Sequence, residues 1–195
     1  MRIISGTHRG KQLIAPKTLP VRPTTDFAKE SLFNILNNYF FLDSIKVLDL
    51  FAGTGNISYE FGSRGCPEIT AVDSHPACVQ YIRKTAEALA YPIEVVKSDV
   101  FTYLDRSLSQ YDVIFADPPY ALRELPELPE RVMSSKLLAP GGLFVLEHGK
   151  HYDFSDRPDF LEHRAYGSVN FSFFRRPETS TVSEGNETPT NQEAE

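Results

Sequence analysis

Cysteine is scarce and long apolar runs are missing. Cys66 and Cys78 are the only thiols in 195 residues. Each falls in a segment that reads as helical, so both are expected to be buried or idle thiols in a reducing cytosol rather than a disulfide. The longest apolar stretch, around Val47–Ala52, is broken by Asp49 and is far too short to cross a bilayer. The opening Met1-Arg2-Ile3-Ile4-Ser5-Gly6 has no apolar core of signal-peptide length. These absences predict a cytoplasmic protein with no membrane partner. What remains is ordinary for a globular chain, with 41% hydrophobic and 24% charged residues, and its length suits one domain with short appendages.

Positive charge is unevenly spread. The net charge is −6, yet Pro177–Glu195 carries five glutamates and no Lys or Arg. Setting those five aside, 20 basic residues face 21 acidic ones, so the body is nearly neutral. The first thirty residues hold six basic side chains (Arg2, Arg9, Lys11, Lys17, Arg22 and Lys29) against Asp26 and Glu30, a local excess of four. Such a footprint suits phosphate binding whatever the overall charge.

Along the chain, Arg2–Ile4 and Lys11–Ala15 read as a small hairpin, followed by a connector marked by Pro16, Pro20 and Pro23. Thr24-Thr25-Asp26 can cap a helix, and Ala28, Leu32, Ile35 and Tyr39 recur at helical spacing, which predicts a helix from about Asp26 to Asn38. Strands and helices then alternate. Strands are expected at Lys46–Phe51, Glu68–Asp73, Ile93–Ser98, Asp112–Ala116 and Gly142–Glu147. Helices are expected near Asn56–Arg64, Pro76–Ala90, Val100–Leu108 and Leu128–Leu138. This alternation implies an α/β fold with a mostly parallel sheet covered by helices on both faces. His163–Tyr166 and Val169–Arg175 flank Gly167-Ser168, a terminal hairpin that appends an antiparallel strand. The expected organisation is an arm and connector over 1–23, a catalytic domain over 24–176 and a disordered acidic tail over 177–195.

Three motifs carry chemistry. The first is Asp49-Leu50-Phe51-Ala52-Gly53-Thr54-Gly55, where an apolar strand runs through a Gly-x-Gly turn into a helix. The turn lacks the third glycine of the dinucleotide fingerprint, which disfavours a nicotinamide enzyme. Its Asp-x-Phe-Ala-Gly-x-Gly form resembles the S-adenosylmethionine loop of Rossmann-like class I methyltransferases. The second is Asp73, ending the next strand 20 residues after Gly53. A carboxylate so placed accepts hydrogen bonds from ribose hydroxyls in nucleoside-binding sheets. In the same scheme Asp99 meets the adenine amino group, with Val100 beside it, although Asp99 reads equally as the cap of the helix at Val100. The third is Asp117-Pro118-Pro119-Tyr120, after the fourth parallel strand. Two prolines cannot continue a ladder and hold a carboxylate, a carbonyl and an aromatic ring rigidly at the sheet edge.

This tetrapeptide resembles the [Asn/Asp]-Pro-Pro-[Tyr/Phe] motif of methyltransferases acting on planar nitrogen. An exocyclic amine is a poor nucleophile because its lone pair is delocalised. Asp117 and the Pro118 carbonyl can accept both amine hydrogens, and Tyr120 can stack on an extruded base. Because a carboxylate presents acceptors only, Asp117 leans toward guanine, whose edge offers two adjacent donors, over adenine.

The N-terminal residues extend the resemblance. Arg2–Leu13, Arg22–Asp26 and Lys29–Leu36, with Phe51–Gly55, Ser63–Gly65, Asp117–Tyr120 and Tyr166-Gly167, are similar to RsmD-type 16S rRNA guanine-N2 methyltransferases. The sequence departs from that family at Lys29, where Arg is usual, and at Asn56–Phe61. The resemblance implies S-adenosylmethionine as methyl donor, S-adenosylhomocysteine as product, and no metal. It implies 16S rRNA, within an assembling small ribosomal subunit, as the partner of a monomer. Asp49, Phe51, Ala52, Gly53, Thr54, Gly55, Asp73, Asp99 and Val100 would bind the cofactor, and Asp117, Pro118 and Tyr120 would act on the base. Arg2, Arg9 and Lys11 would grip RNA, with Arg22, Thr25 and Lys29 at the substrate entrance. An adenine-N6 or glutamine-amide methyltransferase, and a noncatalytic RNA-binding assembly factor, remain alternatives at this point.

Overall fold

The computed structural model describes residues 1–17, 19 and 24–178. Arg22 and residues 179–195 of the expected tail lie outside them. After α1 (Asp26–Leu36), five parallel strands alternate with helices: β1 (Lys46–Leu50), α2 (Asn56–Ser63), β2 (Glu68–Asp73), α3 (Pro76–Leu89), β3 (Ile93–Lys97), α4 (Val100–Arg106), β4 (Tyr111–Ala116), α5 (Leu128–Ser134) and β5 (Leu138–His148). The hairpin β6 (Phe160–Tyr166) and β7 (Val169–Arg175) completes a sheet ordered β3-β2-β1-β4-β5-β7-β6. β7 pairs antiparallel with both β5 and β6. This is the expected mostly parallel α/β sheet with an antiparallel C-terminal hairpin.

Side chains alternate across a pleated strand, so residue parity assigns each to a face. Val47, Ile69, Val113, Phe115, Leu143, Val145, Phe171 and Phe173 pack under α1 and α2. Ala71 and Val95 continue that face under α3. Leu48, Leu50, Val72, Ile114, Phe144 and Leu146 pack on the opposite face with Val100, Leu104 and Val132 of α4 and α5. Both faces are covered, which explains why the parallel strands read as nearly continuous apolar runs.

The largest departures from the expected boundaries fall between α5 and β5. α5 stops at Ser134, and Leu138, expected to end it, instead begins β5 four residues before the expected Gly142. Tyr111 N–H donates to the Leu137 carbonyl at 2.7 Å, and the Arg176 guanidinium donates to the Ser135 and Leu138 carbonyls. These distant partners satisfy the backbone better than a further helical turn would. Cys66 lies in the turn after α2 rather than in a helix, its thiol against the Ile45 carbonyl at 3.2 Å. Both thiols are free and buried, and burial pushes each up to about 11. Among the described residues no helix is long and apolar enough to cross a membrane.

The N-terminal arm has the expected antiparallel form, reduced to one bridge, Arg2 with Gln12. It lies along α2. Glu60, fully buried, accepts hydrogen bonds from the N–H groups of Ile4 (2.9 Å) and Ser5 (3.0 Å) and from Arg64 Nε (2.8 Å). The arm's turn covers the C-terminal end of α2, where Thr7 N–H donates to the Ser63 carbonyl at 2.7 Å. Gly6, at φ +82°, makes this contact possible, since a Cβ there would lie 1.8 Å from the Ser63 oxygen.

Candidate active site

β1 and β4 are neighbours in the sheet while the chain winds outward from them in opposite directions. Crevices at the carboxyl ends of such strands are where open α/β sheets bind ligands. A cavity of about 580 Å³ opens there. Parity sends Asp49, Asp73, Asp117 and Glu147 to the face shared with α1, α2 and α3, and all four line this cavity. They are its only Asp, Glu, Lys or Arg residues among those described.

One wall is the loop after β1. Phe51 and Gly53 hold φ of +58° and +57°, and Gly55 starts α2 at +78°. Positive φ at a non-glycine residue is costly and concentrates at ligand sites. At Gly55 a Cβ would meet the Tyr59 ring at 2.7 Å. The loop is fastened to β2 by Ala52 N–H donating to the Val72 carbonyl (3.0 Å) and Gly53 N–H donating to Asp73 Oδ2 (2.8 Å). Asp73 Oδ1 accepts from His75 N–H at 2.8 Å. Each carboxylate oxygen therefore keeps a lone pair for a further donor. Asp49 lies beneath, buried, accepting from Ser58 N–H (3.2 Å) and Oγ (2.6 Å). Burial raises its carboxyl to about 7, against the opposing effect of the Ser58 donors.

The other wall follows β4 and β5. Phe115 pairs with Val145 and Ala116 with Leu146, and continuing that register by one residue sets Asp117 beside Glu147. Burial first, then the charges of Glu147 and Asp49, hold the Asp117 carboxyl well above the usual carboxylate range. Glu147 is also raised by burial, opposed by two donors: Thr24 Oγ1 at 3.0 Å and the Tyr120 hydroxyl at 3.3 Å. The Tyr120 ring is 47% exposed at the mouth. Glu147 thus joins the start of α1 to the Asp117–Tyr120 segment. Sequence reasoning missed it. Its signal was an acid ending the apolar run Leu143–Leu146, as Asp49 and Asp73 end theirs, without a motif around it.

Phe51, Ala52, Gly53, Thr54, Asp73, Pro118, Tyr120 and Thr25 line the cavity with Asp49 and Asp117. Gly55, Asp99 and Val100 do not. Asp99 Oδ1 accepts from Thr102 N–H (2.9 Å) and Oγ1 (3.1 Å), so its side chain caps α4.

Lys29 requires a correction. Expected at an RNA entrance, it is 1% exposed. Its Nζ donates to the Arg2 carbonyl (2.6 Å) and Asn56 Oδ1 (2.8 Å) and stands 3.6 Å from Glu60 Oε2. An ammonium whose three protons are committed inside the protein cannot hold phosphate. The two places where the sequence departs from the resembled family, Lys29 and Asn56–Phe61, therefore meet in space. Arg2, Arg9 and Lys11 remain exposed, Arg2 pairing with Asp26 at 3.0 Å. Arg9 sits on the turn at the C-terminal end of α2, about 12 Å of helix from the glycine loop.

The cavity offers two carboxylates over a nucleoside-sized cleft and two more beside an aromatic ring. A cationic ligand fits it, because positive charge offsets the cost of keeping four acids together. Among the described residues no cluster of His, Cys, Asp and Glu is placed to hold a metal ion.

Comparison with known proteins agrees with this geometry. Residues 1–175 match the family described as Conserved hypothetical protein 95. The YlbH protein of Bacillus subtilis is 32% identical over 184 residues, covering 90% of this chain and 99% of the relative. Ribosomal RNA small subunit methyltransferase D of Escherichia coli K12 is 32% identical over 148 residues, covering 75% and 74%. A solved hypothetical protein of Thermus thermophilus superposes with a TM-score of 0.79 at 29% identity, covering 89% of this chain and 98% of that one. With its loop, its Asp-Pro-Pro-Tyr segment and its arm all inside the matched region, this chain belongs to the Conserved hypothetical protein 95 family, the RsmD-type methyltransferases.

Proposed function

We propose that this protein transfers a methyl group from S-adenosylmethionine to the exocyclic N2 of a guanine in small-subunit ribosomal RNA. The observation that carries the reading is the Asp117–Glu147 pair, set side by side by the sheet register next to the glycine-loop half of the same cavity. S-adenosylmethionine supplies an electrophilic methyl on a sulfonium. The residues present fit it: Asp73 retains acceptors for ribose hydroxyls, and the acidic lining suits its cationic centres.

On the substrate side, the Asp117 carboxylate and Pro118 carbonyl accept the two amine hydrogens and draw the nitrogen toward tetrahedral geometry. Its lone pair is then directed at the glycine-loop wall, and much of the acceleration comes from this alignment. Two acids facing the base present acceptors, which match the adjacent N1–H and N2–H donors of guanine better than the mixed edge of adenine. The proton released afterwards has a carboxylate in the same cavity to receive it. Tyr120, its hydroxyl held by Glu147, presents its ring to the base.

The relative named as ribosomal RNA small subunit methyltransferase D supports the RNA substrate. The deciding experiment is labelled-methyl transfer to undermethylated small ribosomal subunits, naked rRNA and DNA, with nucleoside analysis of the product. N2-methylguanosine is expected. N6-methyladenosine, or label in protein alone, overturns the proposal.

A further inference from the structure

Phe27 is 67% exposed on the first turn of α1, an unusual place for a large aromatic ring. It is not loose. It meets Tyr166 edge to face, with centroids 5.7 Å apart and planes at 83°. Tyr166 is braced in turn against buried Phe171 at 6.1 Å. The turn after Tyr166 lies at the carboxyl edge of the sheet, because Asn170 pairs with His148 at the end of β5. Thr25, two residues before Phe27, and Ser168 and Val169, just after Tyr166, line the catalytic cavity. The aromatic pair therefore stands on its rim.

Resting on the function proposed above, we propose that Phe27 and Tyr166 form a stacking platform for an unpaired nucleobase flanking the target base. An edge-to-face pair leaves ring face open, and every base has a π-face to lay on it. Two arginines nearby, each paired with one carboxylate, keep further guanidinium N–H donors for a phosphate. Arg2, half exposed, is held at the first turn of α1 by Asp26. Arg164, 55% exposed, lies two residues before Tyr166 on the same face of β6, held by Glu162 at 2.7 Å. A base entering the cavity brings its chain neighbour to this rim, so the substrate segment is single-stranded on at least one side of the target.

The test uses the full chain and undermethylated small ribosomal subunits, with Phe27→Leu, Tyr166→Leu and Phe27→Trp. Stacking predicts that each leucine variant raises KM for the RNA about tenfold or more. Phe27→Trp is expected to match or improve on the original KM. Calorimetric affinity for S-adenosylmethionine is expected to stay level in all three, and melting temperature to stay level in the two Phe27 variants. An unchanged KM in Phe27→Leu, while the unsubstituted protein methylates the subunits, overturns the platform and leaves the proposed function standing. A fall in melting temperature and cofactor affinity shared by Phe27→Leu and Phe27→Trp overturns it in favour of a packing role. Self-association abolished by Phe27→Leu assigns the ring to a second copy of the chain and also overturns it. If the unsubstituted protein methylates no RNA, the functional reading fails and the platform falls with it.

Discussion

Asp117, one residue past β4, and Glu147 in β5 share a face, and burial followed by the charge of Glu147 makes Asp117 harder to ionise. In the proposed mechanism Asp117 is ionised when it accepts amine hydrogens, so the methyl-transfer rate is expected to rise with pH through its titration. Glu147→Gln keeps one acceptor oxygen, leaves the other hydroxyl to accept from its amide N–H, and removes the negative charge, which lets Asp117 ionise more readily. The acid limb of the single-turnover pH profile is therefore expected to move to lower pH. A limb that stays in place would show that Glu147 does not act on Asp117. Asp117→Ala removes an acceptor that strengthens as the amine becomes tetrahedral. A rate loss on the order of 10²-fold at saturating cofactor and RNA is expected, by analogy with removing one preorganised electrostatic group. Wild-type transfer by that variant in single-turnover measurements would reduce Asp-Pro-Pro-Tyr to a rigid turn.

The N-terminal arm is docked on the protein's own surface. Its composition predicts an RNA grip, and its docking fixes where such a grip would lie. Backbone bonds to Glu60 and Ser63 fix it along α2, so it needs no partner to become ordered. Arg9 and Lys11 project from the exposed part, with Arg9 roughly a helix length from the cavity. An RNA touching both sites must span that distance. Neutralising Arg9 and Lys11 together is expected to weaken RNA binding and to flatten its salt dependence, by about 0.7–0.9 in the log–log slope for each phosphate no longer neutralised. Cofactor affinity is expected to hold. Wild-type RNA affinity and slope in the double variant would make the arm solvated surface. Lys29, counted with the same basic cluster, belongs to a different network. It joins Arg64 in neutralising Glu60 inside the protein, where breaking a buried pair commonly costs about 3–5 kcal/mol.

Across the molecule, gathering four carboxylates around one cavity ties stability and ligand binding to pH. Asp49, raised to about 7, binds its proton more tightly in the folded state than in the unfolded chain. Its contribution to stability is therefore fully present below about pH 4 and is lost as pH rises toward 7. Asp117 and Glu147 shift in the same direction. A cationic ligand reverses this by favouring the ionised acids. Binding of S-adenosylmethionine near pH 6.5 is expected to release protons, seen as a buffer-dependent binding enthalpy. The release is expected to shrink in Asp49→Asn. Identical enthalpies in buffers of different ionisation heat would dissociate the acids from the cofactor.

Local periodicity already determined the alternating strands and helices, the glycine turn, Asp73 at its strand end and the rigid Asp117–Tyr120 segment. Each is written within a few neighbouring residues, where backbone stereochemistry and side-chain spacing act directly. The terminal hairpin was legible for the same reason. The tertiary structure alone decided what depends on partners far along the chain. Glu147 became a site residue through the register between β4 and β5 and through Thr24, 123 residues away. Lys29 left the RNA surface because Asn56 and Glu60 fold over it. Leu138 joined a strand because Tyr111 and Arg176 claim the carbonyls around it. Burial and register are properties of the assembled sheet, so charge alone could not separate a lysine that meets phosphate from one that neutralises a buried glutamate.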